Sequence, residues 1–208
     1  MVANKIAEIL LEAGAVKLSP ANPFTWSSGW KSPIYCDNRV VLSFPDYRKF
    51  IKESLAQLVK NQYPTADLIA GVATAGIPQG ALVADELNLP FAYVRPKPKD
   101  HGMGNQIEGK IEKGQKVVIV EDLISTGGSS LKAAEALKNE GIEVLGMIAI
   151  FTYGFSVADE NFKNAGLPLF CLSNYETLLP VAVEKSYITV SQVESLAEWR
   201  KSPSTWGV

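Results

Sequence analysis

Cysteine and histidine are almost missing from this chain of 208 residues, which holds only Cys36, Cys171 and His101. They stand far apart and in no Cys-x-x-Cys or Cys/His ligand spacing, which argues against a zinc site and a disulfide framework. An excess of charge is missing too. The 20 basic and 22 acidic residues leave a formal net charge of -2, so no general field draws the chain to nucleic acid or to an anionic membrane. Basic chemistry must therefore be local. Long apolar runs are absent: the N-terminal stretch is broken by Asn4, Lys5, Glu8 and Glu12, and no run approaches membrane-spanning length. There is no internal repeat and no low-complexity tract. What remains, 47% hydrophobic and 20% charged, fits one soluble α/β domain with a sizeable core, and a cytoplasmic enzyme is expected.

The apolar pattern divides the chain. Ile6, Ile9, Leu10 and Ala13 share a helical face that stops at Gly14. Residues 24–36 read as two short strand-like runs around a Ser-Gly turn, a hairpin over the main body. Phe44, Tyr47, Phe50, Ile51, Leu55, Leu58 and Val59 recur at helical spacing, with Pro45 in the first turn and Pro64 beyond the end. Strands and helices then alternate: a strand at 68–72, a helix to Leu87, strands at 91–94 and 116–120, a helix at 129–140 capped by Gly141, and a strand at 144–151. Such alternation implies a mostly parallel sheet flanked by helices, with ligands beyond the carboxyl ends of its strands. Val193, Leu196, Ala197 and Trp199 mark a closing amphipathic helix. The polar stretch 95–114 is longer than a compact domain tolerates without a purpose.

The most informative string joins Val117-Val118-Ile119-Val120 to Glu121-Asp122, then Leu123-Ile124-Ser125-Thr126-Gly127-Gly128-Ser129-Ser130. A phosphate monoester needs donors at close range. Gly127 and Gly128 let the backbone approach, Ser125, Thr126 and Ser129 add hydroxyls, and the following helix N-terminus adds its dipole. Glu121 and Asp122 would repel a phosphate, yet they suit ribose hydroxyls and can hold a hydrated magnesium ion through water. A plain strand-to-helix turn would explain the glycines and serines alone. The ordered string, with a separate chemical role for each part at the sheet's binding edge, favours function.

This string resembles the phosphoribosyl-pyrophosphate signature of the type I phosphoribosyltransferases. The resemblance implies that family's parallel sheet with a small N-terminal hood, here residues 1–40 of a single domain spanning 1–208. It also implies 5-phosphoribosyl 1-pyrophosphate with Mg2+ as the donor, bound by Glu121, Asp122, Leu123, Ile124, Ser125, Thr126, Gly127, Gly128 and Ser129, with Asp122 catalytic. Other signatures fall short. The stretch from Gly104 to Lys110 has a P-loop skeleton, but Ile111 replaces the metal-binding hydroxyl, and no Gly-x-Ser-x-Gly elbow or dinucleotide fingerprint occurs.

Arg95-Pro96-Lys97-Pro98-Lys99-Asp100-His101-Gly102 places cations and the only histidine in the long polar stretch. Cations closing over departing pyrophosphate would stabilise it and exclude water, so residues 95–114 read as a flexible lid. The segment resembles the lid of the orotate phosphoribosyltransferases. That likeness implies pyrophosphate contacts from Arg95, Lys99 and His101, a catalytic role for Lys99, and a homodimer in which the lid serves the neighbouring site. Phe24-Thr25-Trp26-Ser27-Ser28-Gly29 with Ser32-Pro33-Ile34-Tyr35 resembles the hairpin that covers the pyrimidine, and Gly71-Val72-Ala73-Thr74-Ala75-Gly76-Ile77-Pro78 resembles the pyrophosphate-side loop. Orotate binding is expected from Ser125, Lys31, Ile34 and Tyr35. The chain departs from many relatives at Ser27 and Ala75, where they carry lysine, and in having no arginine after Phe151-Thr152-Tyr153-Gly154. Phe151 and Tyr153 read as a core aromatic cluster.

The expected activity is transfer of phosphoribosyl to orotate, giving orotidine 5-monophosphate on the way to uridine nucleotides. Two alternatives stand beside it: a transferase for a purine base, and a non-catalytic sensor of the same donor. A sensor would be expected to bring a nucleic-acid-binding module, and the sequence offers none.

Overall fold

The computed structural model describes residues 1–26, 28–97 and 106–206. Helix α1 (Val2–Glu12) buries Ile6, Ile9 and Leu10 as expected, with Ala7 and Leu11 beside them, and ends before Ala13, its half-buried C-cap. Strand β1 (Val16–Leu18) follows, and β2 (Phe24–Thr25) and β3 (Lys31–Ser32) form the expected antiparallel hairpin. Beyond it β4 (Ile34–Cys36) turns back to pair with β1, so this region is two small ribbons rather than one. A 3-10 turn (Asn38–Ser43), capped by the Asp37 side chain, leads into α2 (Pro45–Gln62) with proline in its first turn.

The body runs β5 (Leu68–Val72), α3 (Gly76–Leu87), β6 (Phe91–Val94), β7 (Ile107–Glu108), β8 (Lys116–Ile124), α4 (Gly128–Asn139) and β9 (Glu143–Thr152), the expected alternation except that β7 falls inside the stretch 95–114 read as one polar loop. Then come α5 (Ser156–Asn164), β10 (Leu169–Asn174), α6 (Tyr175–Glu184) and α7 (Val190–Lys201). Six strands form one sheet in the order β10-β9-β8-β5-β6-β7, all parallel except the short β7 on the edge. Successive residues of a strand face opposite sides, which divides the core. Val118 and Val120 of β8 pack with Ile148, Ile150 and residues of α1, α2, α6 and α7, whereas Val117 and Ile119 pack with Met147, Ala149 and residues of α4 and α5. Both faces are covered, which is why the central strands read as unbroken apolar runs.

Strand β8 runs on to Ile124, four residues past the apolar run, so the acid pair lies inside the strand rather than after it. The reason is its neighbour: β9 continues to Thr152 and keeps Glu121, Leu123 and Ile124 in register with Ala149, Phe151 and Thr152. Among the described residues no helix is long and apolar enough to cross a membrane.

The hood is fastened by aromatic rings. Trp26 lies 5.3 Å from Tyr153 and 5.6 Å from Trp199, and Trp199 also meets Tyr153, Phe155 and Tyr175 at centroid separations of 5.7, 5.4 and 5.3 Å. Trp199 is fully buried, yet its indole N–H finds no acceptor among the described residues. Its value is therefore packing. Trp199→Ala is expected to lose about 3–5 kcal/mol in chemical denaturation, whereas Trp199→Phe, which removes no hydrogen bond, keeps most of that stability.

Candidate functional site

The acid pair is set by its surroundings. Glu121 is buried, accepting a hydrogen bond from the Ser130 hydroxyl at 3.0 Å on one oxygen and from the Asp122 amide at 3.1 Å on the other. Gly76, at the start of α3, makes this crowding possible, since a Cβ there would lie 2.5 Å from the Val120 carbonyl oxygen. Burial, followed by the adjacent Asp122 charge, pushes the Glu121 carboxyl up to about 8, so it holds a proton at neutral pH. Asp122 is also raised by burial, opposed by hydrogen bonds and by Arg39. Burial thus raises both carboxyls of the pair. An arriving cation would draw the proton from Glu121.

The loop after the strand is short: Ser125, Thr126 and Gly127 turn the chain before α4 starts at Gly128. Gly127 adopts φ 80, and a Cβ at this position would strike the Phe162 ring at 2.7 Å. Gly128 differs. Nothing lies within 4 Å of a Cβ placed on it, so its surroundings are open. Helix α5 braces the turn, with the Asn161 amide donating to the Thr126 carbonyl at 2.9 Å.

Two cavities flank this loop. One, of about 540 Å3, is lined on the hood side by Trp26, Trp30, Tyr35 and Cys36, and on the sheet side by Leu123, Ser125, Thr126 and Tyr153. The other, of about 280 Å3, lies between Ala73, Arg95 and Ser129. Of the residues expected from sequence, Tyr35, Leu123, Ser125 and Thr126 thus gather at the first cavity, and Arg95 and Ser129 at the second. Lys31 is exposed and does not line this cavity, but its ammonium donates to the hydroxyl of Thr25, which does, at 2.9 Å. Ile34 sits behind the wall: its side chain is fully buried, and its carbonyl accepts from the Trp26 indole at 3.1 Å. Ile124 is likewise fully buried under the loop. Lys99 and His101 lie outside the described residues.

Three residues join the site that the sequence did not single out. Ser130 holds Glu121. Asn38, fully buried, donates from its amide to the Asp122 carbonyl at 2.7 Å and accepts from the Cys36 thiol at 3.2 Å, so it ties the hood to the acid strand. Burial holds that thiol well above its usual range, in its neutral donor form. Arg200 of α7 donates to the Gly154 carbonyl at 3.3 Å, bringing a guanidinium to the end of β9 where the sequence has none. The aromatic reading of Phe151 and Tyr153 holds, and Tyr153 also faces the larger cavity.

A carboxyl whose pKa rises on folding stabilises the folded state fully below its unfolded value and loses that contribution as pH climbs through the folded value. For Glu121 that window runs from about 4.5 to about 8. In chelator and without substrate, the thermal midpoint of the wild type should fall more steeply between about pH 5 and about pH 9 than that of Glu121→Gln. Equal slopes in the two proteins would remove the buried proton. At the turn, Gly127→Ala is expected to destabilise by about 2–4 kcal/mol through its left-handed backbone and the Phe162 contact, while Gly128→Ala stays close to wild type in the same denaturant titration.

Comparison with known proteins gives these features a family. The family model of the phosphoribosyl transferase domain matches residues 44–166. Orotate phosphoribosyltransferase of Cytophaga hutchinsonii is 61% identical over 203 residues, covering 98% of this chain and 97% of that one. The Listeria monocytogenes protein of the same name is 55% identical, with 99% of each chain covered. Among solved structures, orotate phosphoribosyltransferase from Aeropyrum pernix superposes with a TM-score of 0.76 at 30% identity, over 88% of this chain and 99% of that one. UMP synthase of Leishmania donovani gives a TM-score of 0.79 at 27% identity, with 95% of this chain matching 42% of that longer one. With the acid strand, the glycine turn and the hood in place along nearly its whole length, the chain belongs to the orotate phosphoribosyltransferases of the type I phosphoribosyltransferase family.

Proposed function

We propose that this protein transfers the 5-phosphoribosyl group of 5-phosphoribosyl 1-pyrophosphate to N1 of orotate, releasing pyrophosphate and orotidine 5-monophosphate for uridine nucleotide synthesis. The observation that carries the reading is the acid strand ending in a three-residue turn between two cavities of unequal size. The larger is walled by aromatic rings and suits a flat pyrimidine; the smaller offers Arg95 to a phosphate chain. A donor lying across the turn would place its reactive carbon between them.

In this reading the amides and hydroxyls from Ser125 to Ser129 hold the 5-phosphate at the N-terminus of α4. Asp122, with Glu121 beside it, accepts from the ribose hydroxyls, and its negative charge opposes the positive charge that develops on the ribose ring as pyrophosphate leaves. Tyr35 and Ser125 position orotate, and Lys31, steadied by Thr25, provides a cation for the orotate carboxylate. Lys99 and His101 close on the leaving group. No enzyme nucleophile is required; alignment and electrostatics supply the rate.

The donor set suits Mg2+. Glu121 and Asp122 offer hard oxygens, and among the described residues no cluster of three or more His, Cys, Asp or Glu forms a cage. A cation that keeps water and shares substrate phosphates fits two carboxylates. When bound, it would neutralise phosphate charge and polarise the leaving group. We also assign a homodimer in which Lys99 serves the partner's site.

One experiment tests donor, acceptor and dimer together: loss of orotate absorbance, measured with and without donor and Mg2+. Wild type should consume orotate only with both, and hypoxanthine or adenine should not replace it. Asp122→Asn and Lys99→Ala homodimers should each be nearly inactive. After confirmed subunit exchange, about half the dimers are mixed and each holds one intact site, so about a quarter of wild-type activity returns. Confirmed mixed dimers without recovery would place Lys99 in its own subunit's site, and absence of orotate turnover in the wild type would overturn the assignment itself.

A further inference from the structure

Asn38 is a polar residue that the chemistry above does not use, yet it is fully buried. Burying an amide costs stability unless both of its ends are met. Its nitrogen donates to the Asp122 main-chain carbonyl at 2.7 Å, and its oxygen accepts from the Cys36 thiol at 3.2 Å. The Asp122 carbonyl can only accept, which turns the amide nitrogen toward it and leaves the oxygen for the thiol. Cys36 lines the larger cavity. One short side chain therefore meets the acid strand at one end and the wall of the acceptor cavity at the other.

The turn that carries Asn38 is fixed on both sides. Before it, the Asp37 amide donates to the Ala15 carbonyl at 2.8 Å and extends the ribbon of β1 and β4 by one bond. The Asp37 carboxylate then accepts from the Arg39 amide at 3.1 Å and from two Arg39 guanidinium nitrogens at 2.7 and 2.9 Å. After it, Val41 is buried in the core and Arg48 of α2 donates to the Leu42 carbonyl at 2.7 Å. The acid strand needs such a support. Strand β5 pairs with β8 only as far as Val120, so the acid pair lies past the last residue that β5 holds, and there the 3-10 turn packs against β8. Glu121 and Leu123 keep Ala149 and Phe151 in register across the sheet, while the hood takes the Asp122 carbonyl between them.

We infer that Asn38 is a positioning residue for the transfer, fixing the Asp122 main chain against the hood so that the group facing the ribose and the wall facing the base keep one separation. The inference rests on the functional reading above, in which Asp122 meets the ribose and the larger cavity holds orotate. In that reading the two reactants are carried by different parts of the fold, the donor by the sheet and its turn, the acceptor partly by the hood. Attack at the ribose carbon needs both in register, and a misplacement of about 1 Å costs roughly a hundredfold in rate. Asn38 touches neither reactant. The phosphate turn has its own brace in Asn161, so losing Asn38 should slow turnover and leave the hold on the donor unchanged.

The test is a double-mutant cycle on turnover, run as single-turnover kinetics at high enzyme concentration so that weak variants remain measurable. Asn38→Ala is expected to lower kcat roughly tenfold or more while the KM for donor moves less than about twofold. In the Asp122→Asn background the same substitution should change the rate by less than about twofold, because the group it positions is already gone. General loosening of the hood would instead multiply both rates by one factor. Thermal melts check folding, and if Asn38→Ala melts below the assay temperature, Asn38→Leu, which is close in volume and cannot donate, carries the same comparison. Unchanged kcat, a loss confined to the KM for donor, or an equal loss in both backgrounds would each overturn the role of Asn38. The wild-type orotate assay separates the two levels: with orotate turnover intact in the wild type, any of those results removes Asn38 alone, and without it the functional reading itself falls.

Discussion

Parallel pairing of β8 with β9 holds the site at its place on the sheet. The pairing continues past the apolar part of β8, through Glu121 and Asp122, to Ile124 and Thr152. The Glu121 backbone is fixed against Ala149, and the Asp122 carbonyl is held by the Asn38 amide at 2.7 Å. Glu121 is held down on the sheet, where the Ser130 hydroxyl and the Asp122 amide each donate to one of its two oxygens. Desolvation then raises its pKa, and the neighbouring acid raises it further. The same pairing fixes where the turn begins. The Thr152 hydroxyl and the Tyr153 amide both donate to the Ile124 carbonyl, at 3.2 and 3.1 Å, and end the strand at the loop.

The parts of the fold that the sequence revealed are those where one local pattern sufficed. Runs such as Leu68–Val72 and the spacing of Ile51, Leu55 and Val59 show strands and helices directly, because burial on both faces or on one stripe leaves a clear period. The region after Thr152 was harder. Strand β10 mixes buried and half-exposed positions at the sheet edge, and α6 contains Pro180, which in isolation reads as a helix stop. That helix persists because Tyr175, Leu178, Leu179, Val181 and Ala182 are buried, so tertiary packing overrides propensity.

The chemistry was legible where it is written in order, and illegible where it is written across the fold. Glu121, Asp122 and the following turn stand consecutively, so their gathering at the end of one strand can be read from order alone. Asn38 meets Asp122 across 84 positions, and Arg200 meets Gly154 across 46. Neither residue belongs to a motif, since each acts through one hydrogen bond to a backbone carbonyl. Ser130 was visible within the string but indistinguishable from its neighbour: only the rotation of α4 decides that Ser130 turns to Glu121 while Ser129 and Lys132 turn to the smaller cavity.

The ring contact between Trp26 and Trp199 joins the hood to α7 behind the wall of the larger cavity. During synthesis, the acid strand and the glycine turn emerge long before α7. The sheet and its glycine turn can therefore form while Trp26, at the wall of the larger cavity, still lacks its backing. Contacts of such wide sequence separation form late, because a long loop must close before they gain anything. The wall that Trp26 gives the larger cavity is thus completed after the acid strand and its turn are in place.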